Sequence, residues 1–264
     1  MPEQISVLVV IDPSQQTHPA LERALRLAKI ATSNLSAKMV FVVTPFKHTL
    51  QQSPAVLCTS EWLRENIHDK LQGTAVNYSV ILGWGASSNE VIIETAGKVK
   101  AILTIMPHYE QSNRGFLSDD RWRLLRESNN PVLIASRPSR DHAGRMLGTL
   151  KIQDGEYAER NTRMLETAAR FTEIFGLESH MVNSYEDSME YPDRAKIAAM
   201  ANIPNDRIHV KNGEPEDVIC ATADQIDADI ILIASQQRKG LRGALRGNTI
   251  EKILQRLDRD VLMI

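Results

Sequence analysis

Between Asp229 and Ile264 the chain carries residue types and spacing suited to holding an anion. An apolar run, Ile230 to Ile233, leads through Ala234-Ser235-Gln236-Gln237 into a stretch holding Arg238, Lys239, Gly240, Arg242, Gly243 and Arg246; Gly247-Asn248-Thr249 then opens a helical pattern. A parallel strand that turns through glycines into a helix presents unpaired backbone N–H groups and the positive end of a helix dipole, which suits phosphate. The cationic side chains reinforce that chemistry. The same residues also fit an ordinary strand-to-helix connection with solvated arginines, and motif chemistry alone leaves both readings open.

Little else points to catalysis. The sequence holds no GxSxG elbow, no HExxH, no GxxxxGK[ST] and no histidines at metal-ligand spacing. His18, His48, His108 and His209 are scattered, and the pair Asp119-Asp120 falls at a helix start, where capping explains it. Cys58 and Cys220 have no CxxC partner, so neither a disulfide framework nor a catalytic thiol is expected. No enzyme is expected. A formal charge of -2 gives no global attraction for nucleic acid, and no apolar run approaches the roughly 20 residues that span a bilayer. Met1 leads into a strand without a basic region or cleavage signature, so the expected location is cytoplasmic.

These residues must be positioned by an alternating pattern. Strands are predicted over 5–11, 37–43, 76–82, 101–106 and 132–135, with helices over 19–31, 60–72 (Ser60 as N-cap), 89–98 and 119–128. Alternation of this kind implies right-handed crossovers and a mostly parallel sheet covered on both faces, with ligands beyond the carboxyl ends of its strands. The second half repeats the order, opening with a strand over 147–152. Ala101 to Met106 lies 129 positions before Ile230 to Ser235, and Pro131 to Ala135 lies 129 before Asp260 to Ile264. So long a period implies tandem domains rather than a solenoid. Pro138, Ser139, Asp141 and Gly144 mark a linker over 137–144, giving domains 1–138 and 143–264.

The chain resembles the universal stress proteins. Their nucleotide loop reads Gly, two residues, Gly, nine residues, Gly and then Ser, Thr or Asn after the fourth strand. Here Ala234 and Gln237 stand where the first two glycines belong, and Gly247-Asn248 closes the motif in register. Upstream, Gly213-Glu214-Pro215 resembles the turn after the third strand. Val7 to Pro13, with Pro19-Ala20-Leu21, resembles the opening of the tandem E-type members. The resemblance implies two tandem Rossmann-like domains of the adenine nucleotide alpha hydrolase type, each a five-stranded sheet. It also implies that Pro131 to Ala135 and Val261 to Ile264 join them in cis as an internal pseudo-dimer. ATP or AMP with Mg would be the implied cofactor, through Asp12, Ala234, Gln237, Arg238, Gly240, Gly247, Asn248 and Thr249.

The two halves depart from that pattern in different ways. The first-half loop Pro107 to Gly115 has one glycine, and Asp119-Asp120 would repel phosphate, leaving Asp12 a role in its turn with Pro13 and Ser14. In the second half the acid that ends the first strand is either replaced by Lys151 or displaced to Asp154. The expectation is a stress-response binding module without catalysis, with a degenerate ATP or phosphate loop in its second domain. An alternative is an apolar or acyl ligand between the halves, lined by Phe46, Leu57, Trp62 and Ile67 and by Met189, Tyr191, Ile197 and Met200. A ligand-free adaptor for an unidentified protein partner is the third reading.

Overall fold

A computed structural model describes residues 4–30, 36–46, 57–74, 76–85, 87–109, 117–136, 144–153, 155–234, 249–256 and 259–264. In the first half these form β1 (Gln4–Ile11), α1 (Pro19–Ile30), β2 (Ser36–Val43), α2, β3 (Asn77–Leu82), α3 (Ser88–Lys98), β4 (Ala101–Pro107), α4 (Asp119–Glu127) and β5 (Val132–Ala135). Helix α2 has α-helical ends, Ser60–Leu63 and Asp69–Leu71, around a π-helical middle, Arg64–His68. The second half gives β6 (Arg145–Leu150), α5 (Ala158–Phe175), β7 (Glu178–Tyr185), α6 (Arg194–Ala201), β8 (Ile208–Asn212), α7 (Pro215–Gln225), β9 (Ile230–Ile233), α8 (Thr249–Arg256) and β10 (Asp260–Met263).

All these strands belong to one sheet, in the order β3-β2-β1-β4-β5-β10-β9-β6-β7-β8. Neighbours are parallel within each half. β5 and β10 run antiparallel, with Ile134 opposite Val261, Leu133 opposite Leu262 and Val132 opposite Met263. That is the cis pairing of last strands implied by the resemblance. Leu133 and Leu262 lie on its pseudo-two-fold axis, and all eight residues of the two strands are buried.

The sheet is covered on both faces, which is why its inner strands read as near-continuous apolar runs. Ile5, Val7, Val9 and Ile11 of β1 belong to the layer that also holds residues of α1, α2, α5 and α6, whereas Leu8 and Val10 belong to the layer of α3, α4, α7 and α8. Each layer runs unbroken through both halves. The alternation of the pleat therefore decides which helix each strand residue meets.

Three expectations are corrected. Thr59, not Ser60, caps α2: its backbone is extended and its Oγ1 accepts the Trp62 N–H at 3.1 Å, while Ser60 is already helical. β6 spans 145–150 instead of 147–152. Its ladder begins early because Asp229 Oδ2 accepts the Arg145 N–H at 2.8 Å and Arg145 pairs with Glu178. It ends early because the Asn161 side chain takes both the N–H and the C=O of Lys151, and Asn183 takes the N–H of Ile152.

The third correction concerns the constant repeat distance. It holds for β5 and β10, whose two-fold relates Val132 to Val261, but not for β4 and β9. Lys100 and Asp227 are the matching left-handed residues after α3 and α7, with φ of 50° and 49°, so those helices and the strands that follow are two residues closer. The strand ladders agree, since Thr104 pairs with Val132 as Ile231 pairs with Val261. A slip of two residues restores the same face of a strand. Apolar spacing alone therefore conceals it. The expected linker lies outside the described residues apart from Gly144.

Candidate functional site

At the carboxyl end of β1, Asp12 is 1 % exposed and committed to local structure. Its Oδ1 accepts the Ser14 N–H at 3.0 Å and the Ser14 hydroxyl at 2.7 Å, and its Oδ2 accepts the Phe46 N–H at 3.3 Å. The carboxylate thus ties the exit of β1 to the exit of β2. The guanidinium of Arg121, from the first turn of α4, lies 3.3 Å from the centroid of the Phe46 ring. Its Nη1 donates to Asn89 Oδ1 at 3.3 Å. Burial lowers the Arg121 pKa to about 10 against the opposing pull of Asp12. Tyr109 stands against Phe46 with ring centroids 5.9 Å apart, and burial pushes its phenol up. Among the described residues, the protein's own cation and aromatic rings stand at the first-half site.

The second half is built differently at the matching end of the sheet. A cavity of about 590 Å³ opens beyond β6, β7 and β9. Leu150, Val182, Ile219, Ile233 and Ile253 give it an apolar floor, and Ala234 and Thr249 line it where the chain leaves β9 and enters α8. β1 and β6 can be matched through their neighbours: Val7 pairs with Leu103, and Met146 pairs with Ile230. Counting along each strand puts Lys151 where Asp12 stands. Ile250 likewise takes the place of Arg121, since Leu124 and Leu125 of α4 match the equally buried Ile253 and Leu254 of α8. Charge is inverted at one position and lost at the other.

One wall of the cavity is cationic. The Lys151 ammonium lies 5.0 Å and the Arg160 guanidinium 4.4 Å from the centroid of the Tyr157 ring, so the aromatic face gathers both charges. Glu186, Asp187 and Glu190 also line the cavity and are exposed. Asp187 is partly engaged, accepting the Met189 N–H at 2.9 Å. An apolar floor with a cationic wall can hold a flat or apolar body carrying an anion. Cys58 and Cys220 are buried, and burial raises both thiols, Cys58 to about 11. Among the described residues no three His, Cys, Asp or Glu side chains converge as a metal site.

The universal stress protein family model matches residues 6–136 and again 152–264. The chain belongs to the universal stress protein family. Universal stress protein E of Salmonella typhi is 25% identical over 98% of this chain and 93% of its own length, and that of Escherichia coli K12 is 24% identical over the same shares. A putative universal stress protein of Pseudomonas aeruginosa UCBPP-PA14 shares the fold with a TM-score of 0.72 at 24% identity, covering 98% of this chain and 92% of its own. One from Archaeoglobus fulgidus DSM 4304 gives 0.68 at 19% identity, covering 98% and 97%. Family membership supports a stress-response role.

For this universal stress protein, the residues singled out in the sequence divide into three groups. Ala234 and Thr249 share the second-half cavity. Asp12 is not with them, because it belongs to the site of the other half. Gln237, Arg238, Gly240, Gly247 and Asn248 lie outside the described residues. Sequence reasoning missed Tyr157 and Arg160; an aromatic and an arginine three apart at a helix start were the available signal. Of the residues named for an apolar ligand, Ile67 and Ile197 are core, Trp62 packs edge-on against His18, and Met189 is 93 % exposed. Among the described residues no helix is long and apolar enough to cross a membrane.

Proposed function

We propose that this universal stress protein is a cytoplasmic, non-catalytic binding module with one small-molecule site, in its second half, and that the ligand is an adenine nucleotide with its Mg. The observation that carries this is the contrast between the halves. The same end of the sheet is plugged by Arg121 over Phe46 in domain 1–138 and open as a cavity in domain 143–264. The apolar floor suits a base, and the turn from Ala234 to Thr249, with Gln237, Arg238, Gly240, Gly247 and Asn248, would hold phosphates through backbone N–H groups and cations. Lys151 and Arg160 favour negative charge nearby. When bound, Mg would neutralise phosphate charge.

A second reading has its own support: the floor is apolar enough for an acyl chain, and Met189 stands exposed next to the lining residue Glu190. Calorimetric titration with Mg-ATP separates the two. One equivalent bound supports the nucleotide reading. Absent heat together with displacement of a fluorescent fatty acid would replace it with the acyl reading, and absence of both would leave the protein-adaptor role. Two equivalents would refute the closed first-half site.

A further inference from the structure

Helix α1 of the first half reaches into the second half through two arginines. Arg23 Nη2 donates to Asp260 Oδ1 at 3.0 Å, and its Nε contacts Oδ2 of the same carboxylate. The Ser136 N–H adds a bond to Oδ1 at 3.2 Å. One turn later, Arg26 Nη2 stands 3.6 Å from Asp229 Oδ1, whose other oxygen holds the Arg145 N–H. The Asp260 N–H donates to the Asp229 carbonyl at 3.2 Å, so the two acids form one backbone-linked unit. Arg23, Asp229 and Asp260 are all buried.

The joint beside this unit has a problem of selectivity. β5 is four apolar residues, and its antiparallel pairing is centred on Leu133 opposite Leu262. Backbone bonds and apolar contacts would be nearly as good between β5 and a second β5, because the arrangement is already two-fold symmetric. The ion pairs are not symmetric. In the first half the positions matching Asp229 and Asp260 are Ile102 and Pro131, whose side chains offer a guanidinium no carboxylate. If first halves paired with each other, Arg23 would be left buried without its carboxylate.

We infer that the Arg23–Asp260 and Arg26–Asp229 pairs are a recognition code that reserves the β5 edge for the unlike half of the tandem chain and excludes the first half of another copy. A buried ion pair is a weak stabiliser, because desolvation offsets its attraction, but breaking one is strongly unfavourable. It therefore acts chiefly against wrong partners. Burial of Asp260 agrees with this, since it opposes ionisation despite Arg23.

The test uses the full chain. Ser136→Cys and Asn130→Cys are made in separate copies, because a β5–β5 pairing centred on Leu133 would set these positions opposite each other. The two proteins are mixed under mild oxidation, with and without Arg23→Met and Arg26→Met in both. The crosslinked like-half dimer is expected to be at least tenfold more abundant in the neutralised background. Equal yields, including none in either, overturn the inference. Where the doubly neutralised chain fails to fold, Arg26→Met alone should shift the yield in the same direction. Hydrogen exchange at Leu133 and Leu262 supplies an independent readout. Arg23→Met should lower protection by about 100-fold, and adding Asp260→Asn should restore part of it, because no unpaired charge then remains. Purely additive losses would also overturn the inference.

Discussion

Replacing Asp260 by Asn should change how stability depends on pH, with a sign opposite to that of most carboxylates. Burial raises the Asp260 pKa from 3.8 to about 6, although Arg23 and the Ser136 N–H pull it down. Between those values the folded chain binds a proton that the unfolded chain does not. The contribution of this group is fully present below pH 3.8 and is lost as pH rises through 6. A displacement of about two pKa units corresponds to roughly 3 kcal/mol. Urea unfolding of wild type and Asp260→Asn at several pH values from 4 to 7.5 isolates this term, because every other titrating group is common to both proteins. The wild-type stability minus that of the variant should fall by about 2.5 kcal/mol across the range, most steeply between pH 4 and 6. A difference that is flat, or that rises with pH, would refute the reasoning.

His209 should act in the opposite direction. Burial, then the neighbouring His180, Lys211 and Arg194, lower its pKa to about 4, so its contribution is present above pH 6.5 and lost as pH falls toward 4; His209→Gln should flatten the acid limb of a stability profile. Gly83→Ala should cost about 1–3 kcal/mol in chemical denaturation, because a Cβ there would meet Val91 Cγ1 at 2.3 Å and Val42 Cγ2 at 3.2 Å, both on stiff branched side chains. Ile250→Arg should transplant the first-half plug. Calorimetry should then show ligand binding lost, while the thermal midpoint stays near that of wild type.

Much of the fold was legible because the strands that build it are apolar on both faces and the helices between them are not. Val132–Ala135 and Ile230–Ile233 could be read directly, since each is a short apolar run bounded by polar or turn residues. The start and end of β6 could not. They are set by side chains distant in sequence, Asp229 at one end and Asn161 with Asn183 at the other. Capping of α2 was misplaced by one residue because Thr59 and Ser60 are both good N-caps, and only backbone geometry distinguishes them. At the candidate site, Ala234 and Thr249 were found from the loop motif, whereas Tyr157 and Arg160 enter from the start of α5. Nothing in the sequence linked Arg23 to Asp260, because the partners are 237 residues apart and meet only across the joint between the halves.

The antiparallel step between β5 and β10 also gives the molecule a polarity. Every strand of one half points opposite to every strand of the other, so the plugged end beside Asp12 and the open cavity beside Ala234 look out from opposite rims of one slab. The carboxyl ends of β2 and β7 likewise lie on opposite rims. A partner seated over the cavity would see the carboxyl-end loops of the second half next to the amino-end turns of the first, and never both sets of carboxyl-end loops at once. Duplication has therefore not given this chain two copies of one surface. It has given it two unlike poles, joined through the buried strands β9, β10, β5 and β4 and through the arginines of α1.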